Sequence, residues 1–245
     1  MKRTVMCFLM SLFVLTLSAV SAETQLVALD AKLEILAGQV ILTRSGSDKG
    51  DVISRSCQLY AGDLLETLKD SRTILSYNDG TTMKIKENAI VEVQPTSVRV
   101  FKGKTWYKFT KRGTEFKIET PSLVAGIRGT EFEVAVSSRQ KTVVSVVEGA
   151  VAANSVAGGN TELLKMGEAI SCEKDKPLSS KANFDVEAKM AEWNGSEWNT
   201  ANSNNLNELF TEWLRLKNKY GEEDERTIRA ITKFQKAKKA AEMKK

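Results

Sequence analysis

The chain of 245 residues contains no histidine. This absence excludes the usual Ser-His-Asp and Cys-His nucleophilic arrangements and histidine metal sites. Cysteine is also scarce, with three in the chain, and cysteines without histidine in such small number do not build a standard zinc site. The sequence also lacks a Gly-x-x-x-x-Gly-Lys-Ser/Thr loop for phosphates. We therefore expect a protein that is not an enzyme and that carries no cofactor and no metal.

Long apolar runs are missing except at the N-terminus. Lys2 and Arg3 precede an apolar stretch over residues 5–17, and small residues follow it up to Ala22. This is the three-part pattern of a secretory signal, which predicts cleavage after Ala22 and a periplasmic or secreted protein. A retained membrane anchor is the alternative, because residues 5–22 reach the lower limit for a spanning helix. After cleavage we expect no integral membrane protein.

The chain also has only a small excess of positive charge. The formal net charge of +5 falls to +3 once Lys2 and Arg3 are removed, which argues against a nucleic acid partner. The positive charge is concentrated near the C-terminus, at Lys233, Lys236, Lys238, Lys239, Lys244 and Lys245. We interpret this cluster as the solvated end of a helix, and a membrane or anionic-polymer surface is the alternative.

The cysteine count fits export. Cys7 would leave with the signal, so Cys57 and Cys172 remain. Two cysteines in an oxidising compartment commonly pair. We predict a Cys57–Cys172 disulfide, with two buried free thiols as the alternative.

From Gly38 to Cys172 the sequence favours one strand after another. Apolar and charged residues alternate over residues 81–86, a half-buried pattern. Asp79-Gly80 just before this run predicts a tight hairpin with positive φ at both residues. Gly103 suggests another turn, and residues 142–147 read as a central strand buried on both faces.

A short echo links two of these strands. Residues 113–118 recur as residues 129–134. The echo is typical of a short β-solenoid, and a curled β-sandwich or roll is the equal alternative. Either way the fold class is mainly β, followed by a C-terminal α-helical segment.

The predicted domain organisation follows from shifts in composition. It comprises a signal (1–22), a lead-in (23–37), a β-domain (38–176), a linker (177–184) and a helical tail (185–245). Within the tail, amphipathic spacing predicts helices over residues 185–193, 206–220 and 222–245. Tryptophans in the tail would anchor these helices, or they would form a partner-binding face; they are Trp193, Trp198 and Trp213.

Several ordered blocks carry a family resemblance. They are Gly38-Gln39-Val40, residues 61–67 (AGDLLET), residues 78–81 (NDGT), residues 116–121 (FKIETP) with 124–132 (VAGIRGTEF), residues 147–151 (VEGAV) and residues 166–168 (MGE). Together they resemble the FecR domain. The resemblance implies an extracytoplasmic β-domain used for binding or scaffolding. Because so few residues precede the apolar run, we do not expect the sigma-factor-binding region of membrane-spanning FecR regulators.

A few residues stand out as candidates for binding. Arg128 lies between Gly126 and Gly129, where backbone N–H groups and a guanidinium could hold an anion. The alternative is an ion pair with a carboxylate such as Glu131. Trp106 is the surface candidate for stacking on a sugar or peptide.

Other residues read as structural. Gly126, Gly129 and Thr130 are expected to shape a bend before a strand. Asp63 and Asp79 are the acidic candidates for glycosidase chemistry, and both lie beside glycine in turn sequences, where aspartate commonly bonds nearby backbone.

The function that the sequence favours is non-catalytic. We expect an exported binding or scaffold protein whose partner is another envelope protein or an envelope glycan. The alternatives are an envelope glycan hydrolase that uses carboxylates and a periplasmic signalling subunit of a membrane regulator.

Overall fold

The computed structural model describes residues 27–110, 116–127, 129–198, 209–210, 212–213 and 215–242. Its first seventeen elements are strands. They are β1 (Ala28–Ala37), β2 (Val40–Thr43), β3 (Gly50–Ile53), β4 (Cys57–Tyr60), β5 (Asp63–Thr67), β6 (Arg72–Tyr77), β7 (Thr82–Ile85), β8 (Ile90–Val93), β9 (Ser97–Lys108), β10 (Phe116–Glu119), β11 (Leu123–Ile127), β12 (Glu131–Val136), β13 (Thr142–Glu148), β14 (Ala150–Ser155), β15 (Glu162–Lys165), β16 (Glu168–Cys172) and β17 (Ala182–Asn183).

The strands form two sheets that share β9. Sheet A has the order β4-β1-β6-β7-β9-β12-β13-β16-β17. Sheet B has the order β3-β2-β5-β8-β9-β10-β11-β14-β15. All neighbours are antiparallel except β9 and β10, which are parallel. Of the two architectures that the sequence allowed, the two-sheet arrangement is the one observed.

Strand β9 passes from one sheet to the other at Gly103. Residues before this glycine pair with β8 and β10, and residues after it pair with β7 and β12. Gly103 has φ of 99°, and a Cβ there would lie 2.4 Å from Cβ of Ala89. The prediction of a turn at Gly103 was wrong, because the glycine bends a continuous strand and does not end it.

The hairpin between β6 and β7 forms where Asp79-Gly80 predicted it. Tyr77 N donates to Thr81 O, and Gly80 N donates to Tyr77 O. Of the two central residues only Gly80 has positive φ, at 86°. The loop is therefore a three-residue turn closed by a left-handed glycine, and not the two-residue type that requires positive φ twice.

The main core lies between the two sheets. Apolar residues that alternate along each strand point inward and form one cluster, with Leu33 and Phe132 from sheet A and Val98 and Leu123 from sheet B among its fully buried members. As predicted, β13 runs centrally, between β12 and β16. The echo predicted from sequence places Phe116 in sheet B and Phe132 in sheet A, so its two copies do not stack as coils of a solenoid.

Part of the predicted linker forms hydrogen-bonded pairs with sheet A. Leu178 makes an isolated bridge with Cys172, and β17 extends the sheet beside β16. Helix α1 (Val186–Trp193) follows at once, with Asp185 Oδ1 accepting a hydrogen bond from Ala188 N. The segment between sheet and helix is therefore attached to the β-domain.

Beyond Trp198 the described residues of the tail are helical except at 221–224. Residues 215–220 are helical and end at Gly221, whose N donates to Lys217 O at 2.9 Å. Helix α2 (Glu225–Glu242) follows. Phe210 and Phe234 pack with ring centroids 5.3 Å apart, so α2 contacts the preceding helical segment. No helix among the described residues has the length and apolar character needed to span a membrane.

Candidate functional site: the outer face of sheet A

The outer face of sheet A carries a second hydrophobic cluster. Trp106 on β9 lies between the side chains of neighbouring strands, and the cluster also contains Leu36, Ile74, Val147, Trp193 and Trp198. Trp193 stacks on Trp106 with ring centroids 5.7 Å apart. Trp198 stacks on Trp193 at 5.3 Å. The two indoles of the tail therefore cover Trp106 and complete a column of three.

This arrangement corrects one sequence prediction and confirms another. Trp106 was expected at the surface, but it is only 1% exposed, and its Nε1 donates to Glu131 Oε1 at 3.0 Å. Because the tail covers it, its indole has no free face for a sugar or peptide. The prediction that Trp193 and Trp198 anchor the tail is confirmed by their burial in the cluster.

Two buried glutamates of β12 accept hydrogen bonds from the tryptophans and lysines of this cluster. Glu133 accepts hydrogen bonds from Lys189 Nζ at 2.8 Å and from Trp193 Nε1 at 2.7 Å. Glu131 accepts from Trp106 and lies 3.3 Å from Lys108 Nζ. Carboxylates buried at this depth are costly unless charged or hydrogen-bonded groups surround them. The tail supplies both partners of Glu133.

Lysines of sheet A hold the end of α1. Lys86 and Lys104 place Nζ at 2.6 Å and 3.0 Å from Glu192 Oε1. Burial alone would raise the pKa of Glu192, but the hydrogen bonds and charges of the two lysines outweigh it and hold the pKa at about 2. Lys84 Nζ donates to Trp193 O at 2.6 Å and satisfies a carbonyl at the helix end. Burial lowers the pKa of Lys84.

The two aspartates considered for glycosidase chemistry are structural. Asp63 has a buried side chain whose Oδ2 accepts from Arg44 at 2.6 Å and from Tyr60 N at 2.9 Å. Asp79 Oδ1 accepts from Thr81 N at 2.8 Å in the β6–β7 hairpin. Each carboxylate closes a local turn, as the sequence predicted.

The block around Arg128 is described in part. Arg128 itself lies outside the described residues, so both predictions for its side chain, anion binding and an ion pair, stay open. Gly129 has φ of 63°, which supports the predicted bend. Gly126, in contrast, lies within β11, and a Cβ there would meet only Ala152, at 3.8 Å from its carbonyl oxygen. Thr130 is buried, and its carbonyl accepts from Phe109 N.

The predicted disulfide is not formed. Cys57 and Cys172 are both free thiols. Cys57 lies on β4, at one edge of sheet A, and six strands lie between β4 and β16, which carries Cys172. Cys172 Sγ instead donates to Ser122 O at 3.3 Å. The prediction was wrong because spacing in sequence says nothing about the order of strands in a sheet.

The outer face of sheet B has no comparable cover among the described residues. Gly126, Ala152 and Leu163 are aligned across neighbouring strands. They alternate with buried residues along their strands, so the side chains of Ala152 and Leu163 point away from the core. Leu163 is 52% exposed. This row is flat and apolar. In the sequence it reads only as small residues within strands, so its position could not be found without the strand order.

The fold and these surfaces define a two-sheet β protein in which the start of the helical tail covers the centre of the outer face of sheet A. Residues 63–152 match the FecR family, described as FecR protein. The match runs from β5 into β14 and covers less than half of the chain.

Two solved structures are similar to this chain. Both are of a candidate anti-sigma factor from Parabacteroides distasonis, each at 17% identity and with a TM-score of 0.47. Each comparison covers 54% of this chain, and 65% and 64% of the other chains. This chain thus spans less than two thirds of their length. Among curated proteins none matches.

Proposed function

We propose that this protein is an exported, non-catalytic binding unit of the cell envelope. The observation that carries the proposal is the use of its acidic groups. Asp63 and Asp79 close turns, while Glu131 and Glu133 lie under the tail and bind indoles and lysines. Glycoside hydrolysis needs two carboxyl groups on either side of a bond in the substrate. These four carboxylates instead fasten parts of the protein to one another.

Export is supported by the N-terminal pattern, with a positive start, an apolar run and small residues up to Ala22. Intact mass of the protein recovered from the cell envelope tests it, and the expected chain begins at Glu23. A species that keeps its first residues and needs detergent for release would contradict export as a soluble protein.

The partner we propose is another envelope protein that docks on the outer face of sheet B. Gly126 and Ala152 leave a flat strip, and Leu163 stands exposed beside it. Apolar side chains in a flat strip suit a protein surface, because a glycan requires hydrogen-bonding groups around an aromatic platform. Among the described residues the tail covers the centre of the outer face of sheet A, whereas nothing covers this strip on sheet B.

Cross-linking in the cell envelope tests this binding. The wild-type protein should yield a defined cross-linked partner, and Leu163→Glu should lose it while keeping the same unfolding midpoint. Met166→Glu, which changes another exposed apolar residue in the β15–β16 turn, is the matched control. Equal capture by wild type and Leu163→Glu would contradict the assignment to this face.

A periplasmic signalling subunit of a membrane regulator is the second candidate. The FecR domain over residues 63–152 favours it. Deleting the gene should then change transcription of a small, defined set of genes. A scaffold without signalling would leave transcription unchanged and alter only the envelope assembly that contains it.

A further inference from the structure

We propose that helix α2 is a peripheral membrane-binding element whose basic face lies on a bilayer that contains acidic phospholipid. This inference stands apart from the proposed function, because it concerns a different surface and a different kind of partner. It rests on how α2 divides its residues between two opposite faces.

One face of α2 is already used inside the protein. Thr227 and Ala230 are buried, and Ile231 and Phe234 are half-buried. Their spacing of three, one and three residues places them on one side of the helix. Phe234 packs on Phe210 of the preceding helical segment. The apolar side of α2 is therefore occupied, and insertion of this side into lipid would require the contact to break.

The opposite face is basic. Arg226, Arg229, Lys233 and Lys236 follow one another at spacings of three and four residues, so they align along the helix, and all four are exposed. Lys239 extends the row by another turn. At a rise of 1.5 Å per residue the row is about 20 Å long.

The cations of this row are unevenly neutralised. Arg226 pairs with Asp224, and Arg229 pairs with Glu225, both at the start of the helix. Beyond Arg229 the sequence has no acidic residue before Glu242. Within the described part of the chain Lys233, Lys236 and Lys239 have no ion pair. The positive charge is thus unbalanced along the last three turns.

A straight row of unpaired lysines suits a planar anionic surface. Each lysine held near an anionic leaflet adds a favourable electrostatic contribution that falls off within a Debye length. Such binding is electrostatic and reversible, because the apolar face of α2 packs within the protein. It also makes the tail act as a tether that holds the β-domain close to the membrane without crossing it.

Vesicle co-sedimentation of the full chain as recovered from the cell envelope tests the proposal. The protein should bind vesicles of phosphatidylcholine with phosphatidylglycerol, and much less those of phosphatidylcholine alone. The triple variant Lys233→Gln, Lys236→Gln, Lys239→Gln should lower the partition coefficient roughly 100-fold, from about fivefold per lysine. Raised salt should weaken binding of the wild type in the same direction.

The control removes the same charge elsewhere. Lys49→Gln, Lys102→Gln, Lys165→Gln changes three lysines that are also exposed, and it should leave partition close to that of the wild type. Equal losses in both triple variants, or equal binding to neutral vesicles, would overturn the proposal. Binding to double-stranded DNA in preference to acidic vesicles would overturn it too. None of these outcomes depends on capture of a protein partner at Leu163, so the two proposals fail separately.

Discussion

Trp193 Nε1 donates a hydrogen bond of 2.7 Å to Glu133 Oε2, and this bond joins the end of α1 to a strand that lies 60 residues earlier in the chain. Both groups are buried. Since a buried carboxylate depends on its partners, the tail and the sheet stabilise each other at this point. The tail is therefore a third layer of the domain.

Glu133→Gln should destabilise the protein. The amide still accepts from Trp193, but Lys189 loses its nearer carboxylate and keeps Glu192, 3.7 Å away. We expect the free energy of unfolding to fall by about 2–4 kcal/mol. Urea denaturation measures it. Glu66→Gln, on an exposed face of β5, should change the free energy by less than about 0.5 kcal/mol. A Glu133→Gln protein as stable as wild type would show that the buried ion pair contributes nothing.

Shortening the tail at two positions should separate its parts. A chain that ends at Ser180 loses both indoles that cover Trp106, and removal of a buried tryptophan alone costs about 3–5 kcal/mol. We expect lower stability and a red-shifted Trp106 fluorescence. A chain that ends at Trp198 keeps the column of indoles and should keep the melting temperature of the β-domain. Equal melting of the two chains would contradict the role of the column.

Two glycines of similar sequence setting should respond in opposite ways. Gly103→Ala forces a Cβ against Ala89 at positive φ, so we expect a loss of about 2–4 kcal/mol. Gly126→Ala meets only van der Waals contact and should lie within about 1 kcal/mol of wild type. Thermal unfolding of both variants measures the difference. If Gly126→Ala were the more damaging change, the assignment of the strand bend to Gly103 would be wrong.

Stability should fall in acid through Glu192. Its pKa is about 2 in the folded protein against an ordinary value of 4.5. A depressed folded pKa gives a contribution that is complete above pH 4.5 and is lost as the pH falls toward 2. Because the side chain is partly exposed, we expect roughly 1–2 kcal/mol after solvent screening. Glu192→Gln should flatten the loss of stability measured in this window, and an unchanged pH profile would contradict it.

Thiol titration should find both cysteines reduced in protein recovered without reductant. In the folded protein Cys57, which is partly exposed, should react slowly, because burial raises its pKa. Cys172 is buried and should react only after denaturation. The detection of no reactive thiol in denatured protein would restore the disulfide that the sequence suggested.

The strands were largely predictable because their signals are local. Met83 and Ile85 alternate with Lys84 and Lys86, and the structure buries the first pair. The signal that ends the second helical segment, Gly221, was equally local. In each case the residues that decide the structure lie within a few positions of one another.

The features that sequence reasoning missed depend on distant partners. Glu133 reads as a solvent-facing strand residue until Trp193 and Lys189 are placed above it. Trp106 was assigned to the surface for the same reason, since the tail covers its outer side. On α2 the buried positions proved to be Thr227 and Ala230, while Ile228 is 50% exposed. The buried side of α2 is therefore set by the segment that packs on it and not by the hydrophobicity of the residues alone.

Strand β9 has a consequence for how the protein unfolds. It makes hydrogen bonds with β7 and β8 from the first half of the chain and with β10 and β12 from the second half. Neither half has a complete sheet without it. Heat or denaturant should thus unfold both halves in a single transition. During synthesis, neither sheet can pair across β9 until residue 108 has left the ribosome.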